Sequence, residues 1–332
     1  MKTRKAIIVF SSIATACLFL ALGCEKDYYP FPPRFSDYSD HSTSAIHLHI
    51  PRIIKSAAEE GYSGYEVYVT VTDQDNHPMS RFEARNFLLQ VECGDSGPVC
   101  IDNFRFSYDR ERVPLVIGIT MDYSGSMSAT DIADMEVAVR RLIQLLDPVD
   151  HLQVIKFSSG VRVMNDFTTD RTALLNAVNT SFPGGWTAFY ESVYIGLQNL
   201  QTFEKNSPAR VFPALIAFTD GYDNNSVANL ASILASSHRS QIPIYTVGLG
   251  NVDQGNMRNM AHSSGGNFVH VTQSSDIDDA FQIILHQMNS SYMFEFTLQD
   301  EVCARLDILL EASYENALGT HSARGKRSYF FY

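Results

Sequence analysis

Residues 114–127 read Pro-Leu-Val-Ile-Gly-Ile-Thr-Met-Asp-Tyr-Ser-Gly-Ser-Met. The apolar run from Leu115 to Met121 has the length and continuity of a strand buried on both faces, as in a parallel sheet covered by helices. It stops at Asp122, and Tyr123-Ser124-Gly125-Ser126 leads into a helix from about residue 129. One carboxylate and two hydroxyls therefore reach a single loop at the C-terminal end of a buried strand. That edge is where open α/β sheets bind ligands. All three groups are hard oxygen donors, the kind that Mg²⁺ takes.

Outward from this stretch, residues 111–288 alternate between strand and helix signals. A helix from Asp131 carries apolar residues at 132, 135, 139, 142, 143 and 146, one stripe at helical spacing. Strands are expected at 152–157, 211–219, 242–249 and 268–271, and helices at 170–179, 187–203, 229–237 and 277–288. Strands separated by helices imply a doubly wound, mostly parallel sheet with helices on both faces. The flanks read differently. Residues 45–110 hold alternating stretches such as Tyr65 to Thr72, with Asp73 to Pro78 as a turn. Strand patterns return at 292–298, 304–314 and 327–332. Three strands alone would be marginal, whereas together the two flanks supply about seven, enough for a β-sandwich. The expectation is an α/β domain (111–290) inserted in, or flanked by, a β domain made of 45–110 and 291–332. His47 and His49 on the first strand are expected on a solvated face, with no third ligand nearby.

Two further loops match the first in kind. Gly184-Gly185-Trp186-Thr187 places a threonine at a helix start, and Phe218-Thr219-Asp220-Gly221 ends a buried strand in an aspartate. Asp122, Ser124, Ser126, Thr187 and Asp220 would then meet at one sheet edge. In these residues the chain resembles the von Willebrand factor type A family and its metal-ion-dependent adhesion site. Asp122, Ser124 and Ser126 match the Asp-x-Ser-x-Ser motif, Thr187 the second-loop threonine, and Asp220 the aspartate of Thr-Asp-Gly. Ile244 to Gly250 and Ser264-Gly265-Gly266 add to the match, which covers about residues 111–290. The resemblance implies a Rossmann-like fold, a bound Mg²⁺ (or Mn²⁺ or Ca²⁺), and a protein partner that presents an Asp or Glu carboxylate to the ion. Trp186, the only tryptophan, is either a partner contact at the rim or packed under its loop. Asp223 is read as a loop residue before a ligand.

Lys2, Arg4 and Lys5 precede an apolar stretch from Ala6 to Leu22, short for a membrane span and ending Leu22-Gly23-Cys24. This resembles a bacterial lipoprotein signal over residues 1–23, with Cys24 lipidated and residues 24–44 as a tether. A lipid anchor implies the cell envelope, at the outer membrane and facing either the periplasm or the surface. Of five cysteines, Cys93, Cys100 and Cys303 would lie in the oxidising compartment. Cys93 and Cys100 flank a turn-like segment and are a candidate disulfide pair.

The net charge of −12 becomes −15 once the leader's three cations are removed. Such a chain, without a long basic run, is a poor nucleic-acid binder. The reading reached is a metal-dependent adhesion or scaffold module on a lipid-anchored envelope protein, not an enzyme. The alternative is a Mg²⁺-dependent hydrolase or phosphotransferase of the envelope. Against it, the metal loops carry no paired nucleophile and base and no phosphate-cradling Gly-Lys.

Overall fold

The computed structural model describes residues 43–80, 82–108, 113–299 and 304–331. The leader, Cys24, nearly all of the tether and Cys303 lie outside the described residues.

Four strands come first: β1 (Ile46–Ser56), β2 (Tyr62–Asp73), β3 (Phe87–Cys93) and β4 (Asp102–Ser107). The α/β body follows, with β5 (Leu115–Asp122), α1 (Ala129–Leu145), β6 (His151–Phe157), β7 (Val161–Val163), α2 (Arg171–Asn179), α3 (Phe189–Asn206), β8 (Phe212–Thr219), α4 (Leu230–Ser240), β9 (Ile244–Leu249), α5 (Gln254–Ser264), β10 (Phe268–Val271) and α6 (Ile277–Asn289). The chain ends in β11 (Tyr292–Gln299), β12 (Arg305–Asn316) and β13 (Gly319–Phe330).

The body is a six-stranded sheet in the order β10-β9-β8-β5-β6-β7. Its pairs are parallel except for β6 with β7. Every residue of β5 and β8 is buried, as their uninterrupted apolar composition demands when helices cover both faces. One face packs on α1, α2 and α6 through residues such as Met135, Leu142, Leu174 and Phe281. The other packs on α3, α4 and α5 through Val193, Leu197, Ile233 and Met260. The chain runs from β5 outward to β6 on one side and to β8 on the other. The gap above β5 and β8 is thus the point at which strand order reverses, the usual ligand crevice of such sheets.

The flanking strands form two antiparallel sheets, β1-β2-β11-β4 and β13-β12-β3. In both sheets, strands from before the body pair with strands from after it: β11 lies between β2 and β4, and β12 pairs with β3. Aromatic rings fill the space between the sheets. Phe87 of β3 meets Phe106, Tyr292 and Phe294 at centroid distances of 5.2–5.7 Å. Cys93 and Cys100 are both disulfide-bonded.

The β-sandwich is tied to the body by mixed contacts. Tyr68 stacks edge-on against Phe212 at 5.6 Å. Arg210 binds the Glu66 carboxylate and the Tyr68 hydroxyl, and Gln287 Nε2 donates to Asn76 O at 2.7 Å.

Three expectations need correction. α5 gave no sequence signal, because Gln254–Ser264 is mostly polar and buries only Met257, Met260, Ala261 and Ser264. β13 begins at Gly319 rather than near residue 327, since its first half alternates between exposed and half-buried positions and offers no apolar run. His47 is exposed as expected, whereas His49 on the same face is half-buried: it meets the His262 ring of α5 edge-on at 5.8 Å, and its Nε2 is buried.

Candidate metal-binding site

The last residue of β5, Asp122, is completely buried. Its Oδ1 accepts from the Ser124 amide at 2.7 Å, the tight local turn that aspartate favours. Its Oδ2 accepts from the Thr219 hydroxyl at 2.6 Å. Thr219 ends β8, the neighbouring strand, so the two central strands lock each other's C-terminal ends. The loop then places Ser124 Oγ 3.0 Å from Ser126 Oγ, and Ser126 Oγ donates to Asp220 Oδ1 at 2.6 Å. Ser128 caps α1 in a reciprocal box with Asp131, which fixes where the loop stops.

Thr187 arrives from the segment before α3. Its amide donates to Asn224 Oδ1 at 2.7 Å, and its carbonyl accepts from the Asn224 amide at 3.0 Å. Across the gap, the Gly125 amide donates to Gly185 O at 2.8 Å. Gly221 marks where the loops converge. A Cβ built there would stand 3.4 Å from Ser126 Oγ and 3.9 Å from Thr187 Oγ1, which places both hydroxyls around this one position. Asp122, Ser124, Ser126 and Asp220 form one hydrogen-bonded chain, and Thr187 Oγ1 faces it.

The electrostatics are those of a site short of positive charge. Burial pushes the Asp122 carboxyl up to about 6, partly offset by its hydrogen bonds, with the Asp220 charge pushing the same way. Burial also raises Asp220, its bond from Ser126 opposes that shift, and Asp131 adds to it. Among the described residues neither carboxylate makes an ion pair. No cluster of three or more His, Cys, Asp or Glu side chains is placed to hold a metal there either. The hydroxyl-rich set of two carboxylates and three hydroxyls is what remains, an all-oxygen donor set of the kind that hard divalent cations take.

Around this set, Trp186 is 65% exposed and Tyr222 53% exposed, so Trp186 stands on the surface rather than beneath its loop. Asp223 is engaged elsewhere: its carboxylate accepts from the Tyr190 amide and from the Ser226 amide and hydroxyl. It caps the start of α3 and the following turn. Thr219 and Asn224 were not singled out from sequence. Thr219 could have been found, because a polar residue closing a buried apolar strand beside Asp220 has to aim its hydroxyl at something.

The family model of the von Willebrand factor type A domain matches residues 117–283, half of the chain. An uncharacterized protein of Synechocystis sp. is 24% identical over 186 residues, covering 55% of this chain and 43% of that protein. The chain thus aligns with less than half the length of that relative. Among solved structures, a von Willebrand factor type A protein from Catenulispora acidiphila superposes with a TM-score of 0.48 at 14% identity, over 88% of this chain and 75% of its own. A mussel byssus proximal thread matrix protein with a zinc-occupied adhesion motif gives a TM-score of 0.45 at 15% identity, over 52% and 47%. Domains of the matched family commonly bind a divalent metal and generally serve as protein-interaction modules rather than enzymes. On the match over residues 117–283, the chain belongs to the von Willebrand factor type A domain family.

Proposed function

We propose that this protein is a metal-dependent binding module that grips a carboxylate of a protein partner, carried on a lipid-anchored envelope protein. The observation that carries the reading is the hydrogen-bonded chain from Asp122 through Ser124 and Ser126 to Asp220, with Thr187 opposite. Ser124, Ser126 and Thr187 would hold the ion directly as neutral donors. Asp122, wholly buried with both oxygens hydrogen-bonded, would act from behind them, and Asp220 from the side. Two carboxylates balance a +2 charge without surplus, so the bound ion would supply an electrophilic centre for an incoming anionic side chain. The serines hydrogen-bond to each other and to Asp220 rather than to a histidine, which favours binding over nucleophilic catalysis.

Trp186 and Tyr222, exposed beside the loops, supply aromatic area of the kind that dominates interface energetics. The leader and Cys24 support anchoring at the outer membrane, facing either the periplasm or the surface. The test is capture of partners from the native envelope on immobilised protein. Retention in Mg²⁺ and release by chelator support the reading, and equal capture under both conditions refutes it. For the anchor, Cys24→Ser should abolish labelling by a palmitate analogue. Equal label in mutant and wild type would exclude it.

A further inference from the structure

Away from the metal loops, the seam between the β-sandwich and the α/β body forms a half-open cleft of about 570 Å³. This lies within the range of small-molecule sites. Its walls come from β1, α5, β13 and the turn at Gly265. In a chain with 37 acidic residues and a net charge of −12, the walls contain no Asp or Glu. They contain His47 and His49 of β1, Arg258 and His262 of α5, and Arg327 of β13. Two more wall cations have acidic partners: Arg324 pairs with Glu311 at 2.8 Å, and Lys326 shares Asp307, at 3.1 Å, with Arg305. Arg258 and Arg327 have no acidic partner among the described residues.

Arg327 is the telling residue. It is 5% exposed, its Nε donates to Gln241 Oε1 at 3.0 Å, and both terminal nitrogens are buried without a partner. Arg52 lies near enough to repel it, so that burial first and Arg52 second push the Arg327 guanidinium down to about 9. Arg52 is paired with Glu204, which leaves Arg327 as the buried guanidinium without a carboxylate among the described residues. His49 Nε2 is likewise buried and unpartnered. Leaving a buried charge uncompensated costs several kcal/mol, and a fold keeps such an arrangement where something else completes it. Gly265 belongs to the same construction. Its φ of +85° lets α5 end in a left-handed cap, and a Cβ there would run into Arg327 Nη1 and the Ile50 carbonyl.

We infer that this cleft binds a small organic anion, whose carboxylate or phosphate groups are held by Arg258 and the His47 and His262 imidazoles within the positive field of Arg327. Guanidinium forks match such oxyanions, and charge-assisted bonds to them are the stronger class of hydrogen bond. A metal ion is the wrong guest for these histidines, because no suitable three-ligand group exists among the described residues and two arginines repel a cation. The inference does not depend on the adhesion site.

The test is titration calorimetry of the full chain, dialysed free of divalent metal and held at fixed ionic strength, with pyrophosphate and citrate as separate probes. One saturable site is expected for at least one probe, and the probe that binds tells phosphate from carboxylate. Arg258 is exposed, so Arg258→Gln should fold normally and weaken binding at least tenfold. Arg327→Gln should weaken it as well. If neither probe binds beyond the effect of sodium chloride, or if Arg258→Gln binds as tightly as wild type, the cleft is not an anion site.

Discussion

Ser126 Oγ donates to Asp220 Oδ1 at 2.6 Å across 94 positions of sequence. This bond joins the loop after β5 to the loop after β8 at the crevice where strand order reverses. Removing it takes away one neutral donor and leaves both carboxylates in place. Ser126→Ala should therefore weaken Mg²⁺ binding by roughly tenfold or less, about the net value of one neutral hydrogen bond, with unfolding unchanged within error. Calorimetry beside a urea melt reads both.

Beneath the first loop lies Lys156, with no exposure at all. Its Nζ donates to the Val178 carbonyl at 2.7 Å and the Thr180 carbonyl at 2.6 Å, at the C-terminal end of α2. It also sits 4.5 Å from the centroid of the Tyr123 ring, whose hydroxyl donates to Glu136 at 2.9 Å. Lys156→Met keeps the bulk and strands two carbonyls, so a loss of about 2–4 kcal/mol is expected in urea unfolding. A change under 0.5 kcal/mol would mean that water replaces the ammonium at no cost.

The strand order makes a second stability prediction. β11 is the inner partner of both β2 and β4, and β12 pairs with β3. A chain ending at residue 291 should lose the sandwich while the six-stranded body survives. Its β-domain amides should exchange hydrogen freely and the β5 and β8 amides should stay protected. A truncated chain that melts like the full protein would show the flanks to be independent.

Acid should act through imidazoles that partial burial keeps neutral. Burial holds His49 down to about 3, with His262 and His47 adding to the effect, and burial also lowers His262 and His238. The unfolded chain takes up these protons near the usual histidine value of about 6.5 while the folded chain does not. The contribution of His49 is therefore complete above about pH 6.5 and is lost as pH falls towards 3, with a slope of up to about 1.4 kcal/mol per pH unit, and those of His262 and His238 act in the same direction. The melting curve of His49→Gln should be flatter with pH across that window. A parallel pair of curves would contradict it.

What could be read from sequence followed burial. β5 and β8 were legible because every position is covered, and the three loops because each hangs from such a strand or opens a helix. α5 was hidden because its buried side is narrow, and β13 because its sandwich face is built from small residues such as Ala323 and Gly325. His49 meets His262 of α5, so the missed helix hid that contact as well. Thr219 and Asn224 support the site through bonds to Asp122 and to the Thr187 backbone, and long-range pairing of that kind leaves no periodic trace.

A cation held by this hydroxyl-rich set is the centre of the proposed function. Asp122 is the carboxylate on which both central strands converge. The direct test is isothermal titration of Mg²⁺ and Mn²⁺ into wild type and Asp122→Ala. Wild type should bind one ion. The variant should fold, lose affinity by well over tenfold, and lose partner capture with it. Equal binding by the two proteins would contradict the adhesion-site reading.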